Sequence, residues 1–175
     1  IVFIVAFAFF VGAGFFVFRL STLNKVWIEQ PYNGHIYSNN GFAKAGEITD
    51  RDGKVLAYTN EDGDRIYHDD EGIRRAMLHV VGDDSHNIST ALQSMFMGNL
   101  SGYSMATGLG LPESMTGSSD VKLCIDAEAS KAVYEAFSGQ KGACVVYNYK
   151  TGEVLIDVSM PTYDPENPPV ITEEN

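Results

Sequence analysis

Two serines in this chain stand three residues before a lysine: Ser119 before Lys122, and Ser138 before Lys141. On a helix, one turn brings such a pair together, and an amine beside a hydroxyl eases formation of a serine nucleophile. The chemistry would be acyl transfer through a covalent serine intermediate. Two strings of the form Ser-x-Asn, Ser38-Asn39-Asn40 and Ser85-His86-Asn87, and one Lys-Thr-Gly, Lys150-Thr151-Gly152, could join such a set. Spacing alone is not enough, because the surrounding elements must put these groups on one face. Ser119-Asp120-Val121-Lys122 leads into the alternating segment Val121 to Ile125, and a strand turns residues three apart to opposite faces. Ser138 stands at the end of a helix-periodic stretch, where Gly139 stops the helix before Lys141. Lys150-Thr151-Gly152 falls in a hairpin turn. All three serine and lysine strings are therefore expected to be decoys, and residues 1–175 are expected to contain no catalytic residue.

Other chemistry-bearing residues give bland expectations. His35, His68, His79 and His86 are scattered, which suits surface or internally satisfied histidines better than a metal centre. Asn60 to Asp64 and His68 to Glu71 offer carboxylates for calcium. With Gly63 as the invariant glycine of a calcium loop, however, Tyr58 falls where the first oxygen ligand must stand. Both segments are expected to be solvated acidic loops. Cys124 and Cys144 lack C-x-x-C spacing and lie in predicted strands, so two buried free thiols are expected rather than a disulfide or a zinc site. No metal and no cofactor is expected.

The chain has 175 residues and a formal charge of −11, which argues against a nucleic-acid partner, since binding phosphate needs Lys and Arg. An aromatic content of 11% and a mean hydropathy of −0.08 exclude a wholly disordered chain. The composition is segregated: Ile1 to Phe18 carry no charge. At about 1.5 Å per residue this run spans roughly 27 Å, close to the hydrocarbon thickness of a bilayer. Arg19, Lys25 and Trp27 suit the membrane interface. A signal peptide is the competing reading, but its apolar core is shorter and no small-x-small cleavage pattern follows Phe18. A retained transmembrane helix over 1–18 is expected. With Ile at position 1 and Pro168-Pro169 near the other end, the chain reads as a fragment of a longer protein.

Beyond the span, residues 30–46 are turn-rich. Glu47 to Arg51 and Lys54 to Tyr58 flank Asp52-Gly53, a hairpin signal, and Arg65-Ile66-Tyr67 adds a short strand. Asp69 to His79 mix charged and apolar residues, with Gly82 as a stop. Ile88, Leu92 and Met95-Phe96 have helical spacing that Gly98 can end, and Ser101 to Ser119 form a Gly- and Ser-rich loop. Val121 to Ile125 alternate as a strand. Asp126 can cap a helix whose apolar face is Ala129, Ala132, Val133, Ala136 and Phe137. Strands Ala143 to Tyr147 and Glu153 to Ser159 follow, joined by a five-residue loop with a glycine bulge. Pro161 and Pro165 then break regular structure.

The ordered set Ile48-Thr49-Asp50-Arg51-Asp52-Gly53-Lys54-Val55-Leu56-Ala57, Arg65-Ile66-Tyr67, His79-Val80-Val81-Gly82, Asp120 to Asp126, Lys141 to Val146, Thr151 to Leu155 and Ser159-Met160-Pro161-Thr162-Tyr163-Asp164-Pro165 resembles the N-terminal region of class B penicillin-binding proteins. The resemblance covers roughly residues 46–167. Cys124 stands where the family usually has Thr, Asp157 where a small or apolar residue is usual, and Glu166 interrupts an Asp-Pro-Asn.

The resemblance implies an α+β fold: one N-terminal transmembrane helix (1–18), a juxtamembrane and β-rich pedestal region (19–118), and the first strand-helix-hairpin of a truncated transpeptidase domain (119–175). It implies a single-pass protein of the bacterial cell membrane with its soluble part outside. The complete enzyme would crosslink peptidoglycan stem peptides by serine acyl transfer, and β-lactams would acylate the same serine. Partners would be those substrates, β-lactams, the membrane through residues 1–18, and other cell-wall synthesis proteins. The family places its Ser-x-Asn after the nucleophile, which removes Ser38-Asn39-Asn40 and Ser85-His86-Asn87, so the nucleophile is expected beyond Asn175. The alternative is a non-enzymatic, membrane-anchored envelope scaffold that only binds partners.

Overall fold

The computed structural model describes residues 2–28, 45–85, 87–101 and 119–169. Ser38-Asn39-Asn40, His35, His86 and most of the loop expected over Ser101 to Ser119 lie outside the described residues.

The apolar run forms one helix, α1 (Val2–Ile28), which continues past Arg19 and Lys25. Its stretch Val2–Leu20 has a mean hydropathy of 2.3 and is long and apolar enough to cross a membrane. A helix that is apolar all round has no polar face to offer water, the pattern of a membrane span.

A four-stranded sheet follows, built from β1 (Ile48–Thr49), β2 (Val55–Thr59), β3 (Arg65–Tyr67) and β4 (Val121–Lys122) in the order β3-β2-β1-β4. The β1–β2 hairpin forms as expected, with Gly53 at φ 86°. β1 is shorter than the expected Glu47 to Arg51, because Asp50 joins the turn, while β2 has its expected length one residue further on. The Asp50 carboxylate accepts the backbone N–H groups of Asp52 (2.9 Å) and Lys54 (2.8 Å), which competes with the ladder. The β2–β3 turn is closed by the Asn60 side chain, which accepts the N–H of Asp64 at 2.8 Å.

β4 pairs parallel with β1, Ile48 opposite Val121. The N–H groups of Val121 and Leu123 donate to Glu47 O and Thr49 O, both at 2.8 Å. Burial alternates along Val121 to Ile125 as expected. Cys124 is nevertheless exposed and Cys144 only half-buried, so the thiols are free as expected but not buried.

Among the described residues, three helices accompany this sheet. The mixed stretch with the glycine stop is α2 (Glu71–Val81). Asp70 caps it by accepting Ile73 N–H, and Gly82 closes it at φ 91°. Its buried face is Ile73, Ala76, Met77, Leu78 and Val81. The expected helix over Ile88 to Met97 is two single turns instead, α3 (Leu92–Met95) and α4 (Met97–Leu100). The break is at Phe96 (φ −119°, ψ 18°), and Gly98 lies buried within α4 rather than ending a helix. Ile48, Leu56, Ala57, Ile73, Met77, Val81, Met97, Leu100, Ile125 and Ala127 form the core between sheet and helices.

The last third contains α5 (Ala127–Phe137) and the antiparallel hairpin β5 (Gly142–Tyr147) with β6 (Val154–Met160). Asp126 caps α5 as expected, accepting Ala129 N–H at 2.9 Å. The loop also forms as expected: Gly152 has φ 81° and donates to Asn148 O at 2.7 Å. The face of α5 differs. Ala127 and Ser130 are buried, Ala129, Val133 and Phe137 half-buried, and Ala132 and Ala136 exposed. At about 100° per residue this is roughly a quarter-turn rotation from the apolar stripe. The cause is that α5 packs against α2 as well as against β6, and Lys131 turns to Asp70 at the start of α2. Phe137 still rests on the sheet, over Gly142. A half-buried ring places Phe137→Ala below the roughly 3–5 kcal/mol typical of fully buried aromatics.

Candidate functional site

The strings that might have carried chemistry are spread over three separate elements. Ser119 and Lys122 flank the start of β4, in extended backbone. Ser138 is the left-handed C-cap of α5 (φ 47°), so Lys141 follows after the helix has ended. Lys150-Thr151-Gly152 forms the β5–β6 turn, where Lys150 N–H donates to the Asn148 side chain at 3.0 Å. None of these stretches gives a serine and a lysine on a shared helical face. Ser85 lies in a turn and bonds the neighbouring Asp84, while Asn87 donates twice to Asp83.

The histidines within the described residues are satisfied by neighbours. His68 Nδ1 accepts Asp70 N–H at 3.0 Å, and His79 Nε2 lies 3.0 Å from Pro161 O. Asp70, expected in a solvated loop, instead caps α2 and pairs with Lys131 at 2.6 Å. The Lys131 ammonium holds the Asp70 carboxyl below its usual range. That pair ties the start of α2 to α5.

What the fold brings together is a clasp that fastens the chain beyond β6 to α2. The chain leaving β6 lies along α2 and is held at four points. Pro161 O meets His79, Thr162 Oγ1 donates to Arg75 O at 2.7 Å, and Tyr163 Oη donates to Asp83 at 3.0 Å. At the fourth, Arg74 donates through Nε and Nη2 to both oxygens of Asp164 (2.8 and 2.7 Å), and a third contact reaches Glu166 at 3.1 Å. Arg74 Nη1 also donates to His68 O and Asp69 O, both at 2.9 Å. The Arg74 and Asp164 side chains are 10% and 7% exposed, which makes this a largely desolvated, bidentate pair. The Arg74 hydrogen bonds hold the Asp164 carboxyl below the ordinary carboxylate range. Burial, with Asp83 adjacent, pushes the Tyr163 hydroxyl up to about 12.

A second link runs through Asp50. Its buried carboxylate, besides closing the β1–β2 turn, lies 3.4 Å from Ala127 N at the start of α5. Arg51 N–H donates to Ile125 O at 3.0 Å. Within the first sheet, buried Arg65 donates to Gln93 Oε1 (2.8 Å), Gly46 O (2.9 Å) and Thr59 Oγ1 (3.1 Å). Gln93 in turn donates to Tyr67 Oη and Gly82 O. Burial pulls the Arg65 guanidinium down to about 10, against the smaller opposing effects of Tyr67 and Glu47. These groups position backbone; none is arranged as a nucleophile beside a base. Arg74, Asp83 and Thr162 carried no signal in the sequence as functional residues, because their partners lie 80 to 90 residues away.

Among solved structures, the fold is similar to that of Pseudomonas aeruginosa PBP2 in complex with WCK 5153, at 26% sequence identity and a TM-score of 0.55. The chain is related in structure to a penicillin-binding protein. The match covers 70% of this chain and 28% of that one, so the chain spans little more than a quarter of the length of its penicillin-binding relative. No protein-family profile and no curated protein sequence matches it. The penicillin-binding-protein likeness agrees with the ordered residue set Ile48 to Ala57, Arg65 to Tyr67, His79 to Gly82 and Ser159 to Pro165, which forms the hairpin, β3, the end of α2 and the clasp.

Proposed function

We propose that the chain is the membrane-anchored N-terminal part of a class B penicillin-binding protein whose complete form crosslinks peptidoglycan stem peptides. The observation that carries this reading is the likeness to PBP2 over 70% of the chain, joined to the ordered residue set. In this reading α1 anchors the protein in the bacterial cell membrane, and residues 19–118 form a pedestal outside it. Residues 119–175 begin the transpeptidase domain. The clasp on α2 then serves as the rigid joint between pedestal and catalytic domain.

The chemistry proposed for the complete protein is serine acyl transfer: a serine attacks D-Ala-D-Ala, releases the terminal D-Ala, and passes the acyl group to an amine. Residues 1–175 supply no nucleophile in this reading. The test is covalent labelling. Residues 20–175 incubated with a fluorescent penicillin should give no labelled band and no mass adduct, while the full-length protein should give both. Saturable labelling of residues 20–175 that Ser119→Ala or Ser138→Ala abolishes would overturn the assignment of these serines as decoys. An unlabelled full-length protein would remove the enzyme reading altogether.

Anchoring is tested separately. Expressed with a start codon, the chain should remain in the membrane pellet after a carbonate wash. Val11→Arg should weaken insertion by about 2.5–3.5 kcal/mol, the usual cost of a mid-span arginine. Recovery of uncleaved chain in the soluble fraction would contradict the anchor.

A further inference from the structure

Among the described residues outside α1, exposed large apolar side chains other than Tyr58 gather in two places. One is the β5–β6 hairpin. The other is Met95 (51% exposed) with Phe96 (48%), at the break between α3 and α4. That break turns Met97 and Leu100 into the core, both 0% exposed, and leaves Met95 and Phe96 outside it. The sequence around the pair carries no charge. From Ile88 to Pro112 there is no Asp, Glu, Lys, Arg or His, in a chain where 20% of residues are charged. A turn that only faces water has no reason to shed every charge. A surface that approaches hydrocarbon does, because a charge brought there loses its hydration.

Position decides what this surface meets. α4, which directly follows Phe96, packs against α1. The stretch Val2–Leu20 has no buried residue, so this contact falls on the last turns of α1, beyond Leu20. Those turns contain Lys25 and Trp27, residue types that suit a membrane interface. Eight residues of helix rise about 12 Å, and a headgroup layer is about 5–8 Å deep, so α4 stands at the level of the headgroups or just above them. We propose that Met95 and Phe96 are a second membrane contact: they enter the interface of the leaflet from which α1 emerges, and with α1 they fix the tilt of the first sheet over the bilayer. The inference rests on the reading of α1 as an anchor. An uncharged stretch on a chain of net charge −11 suits a neutral lipid surface rather than an anionic one.

The test places a tryptophan at the contact in the whole chain, reconstituted in phosphatidylcholine vesicles. Trp27→Phe removes the single tryptophan, and Phe96→Trp or Met95→Trp then adds one. The two positions are alternatives should one variant fail to fold, which circular dichroism detects. Tyr149→Trp, at an 80% exposed position in the β5–β6 loop, is the reference. With brominated phosphatidylcholine, the tryptophan at 95 or 96 should lose most of its emission, while that at 149 should keep it. Unquenched emission at both 95 and 96 from vesicle-bound chain overturns the contact and leaves the anchor standing. Blue-shifted emission without quenching also overturns it, because a protein surface rather than lipid would then cover the pair. Equal quenching at 149 overturns it as well, since the bilayer would then not single out this turn. Chain that does not float with the vesicles overturns the anchor reading, and the contact with it.

Discussion

Arg74→Ala should destabilise the folded chain by about 3–5 kcal/mol, the cost of removing one partner from a buried ion pair. The size follows from what is left behind. Asp164 would keep its place, 5% exposed, with Oδ2 stripped of its donor and Oδ1 left with only the Glu166 N–H at 3.2 Å, and His68 O and Asp69 O would each lose a hydrogen bond. Glu166, the third carboxylate contact, is 44% exposed and can return to water at little cost. The double variant Arg74→Ala/Asp164→Ala should therefore be more stable than the sum of the single losses, and a double-mutant cycle by urea denaturation measures the coupling. Additive losses would show that the pair does not act as a unit.

The same pair predicts an acid limb. The Asp164 carboxyl is held below its unfolded value by Arg74, so its contribution is present above about pH 4 and is lost as pH falls through the lower folded value. Removing Arg74 removes that cause. The stability gap between parent and Arg74→Ala should narrow in acid below about pH 4, and a gap that stays constant from neutral pH to below that value would contradict the linkage.

Gly46→Ala should cost at least about 3 kcal/mol, the upper end of ordinary overpacking. A Cβ on Gly46 would lie 2.2 Å from Ser119 O and 2.6 Å from Ser119 C, both backbone atoms. A flexible side chain could swing aside, but backbone cannot. Gly46 is held from its own side as well: its N–H donates to Leu100 O at 2.8 Å and its carbonyl accepts from Arg65 at 2.9 Å. Relief would require parting the chain before β1 from the chain before β4, at the expense of the 2.8 Å bond from Val121 N to Glu47 O. Thermal unfolding followed by circular dichroism measures the effect. A midpoint close to that of the parent would show that this crossing has slack.

Sequence by itself determined those elements whose causes are local. Asp52-Gly53 tolerates the positive φ of a tight turn, and Gly53 adopts 86°. Asp126 takes the amide three residues on, and α5 starts there. The Asn148 to Gly152 loop closes within itself, and an unbroken apolar run gives the helix α1. The helix α2 was also within reach. Asp70 stands before Ile73, Ala76, Met77 and Val80-Val81 at helical spacing, but the charged residues between them mask the stripe in a purely compositional view.

Tertiary structure alone decided the rest, because the deciding partner is distant in the chain. Alternation predicts that Val121 to Ile125 extend, yet cannot say that β4 lies parallel to β1, some 73 residues earlier. The apolar stripe of α5 specifies a face toward the sheet. Its quarter-turn offset comes from a second neighbour, α2, whose Asp70 meets Lys131. Phe96 breaks what periodicity reads as one helix, because Met97 and Leu100 must reach the core while Met95 stays outside it. The serine and lysine strings show the same limit from the other side. Three-residue spacing is chemistry only on a helix, and the fold places one string at a strand and another just past a helix end. The clasp is the clearest case: Arg74 and Asp164 are 90 residues apart, and only packing of the chain beyond β6 along α2 makes one the partner of the other.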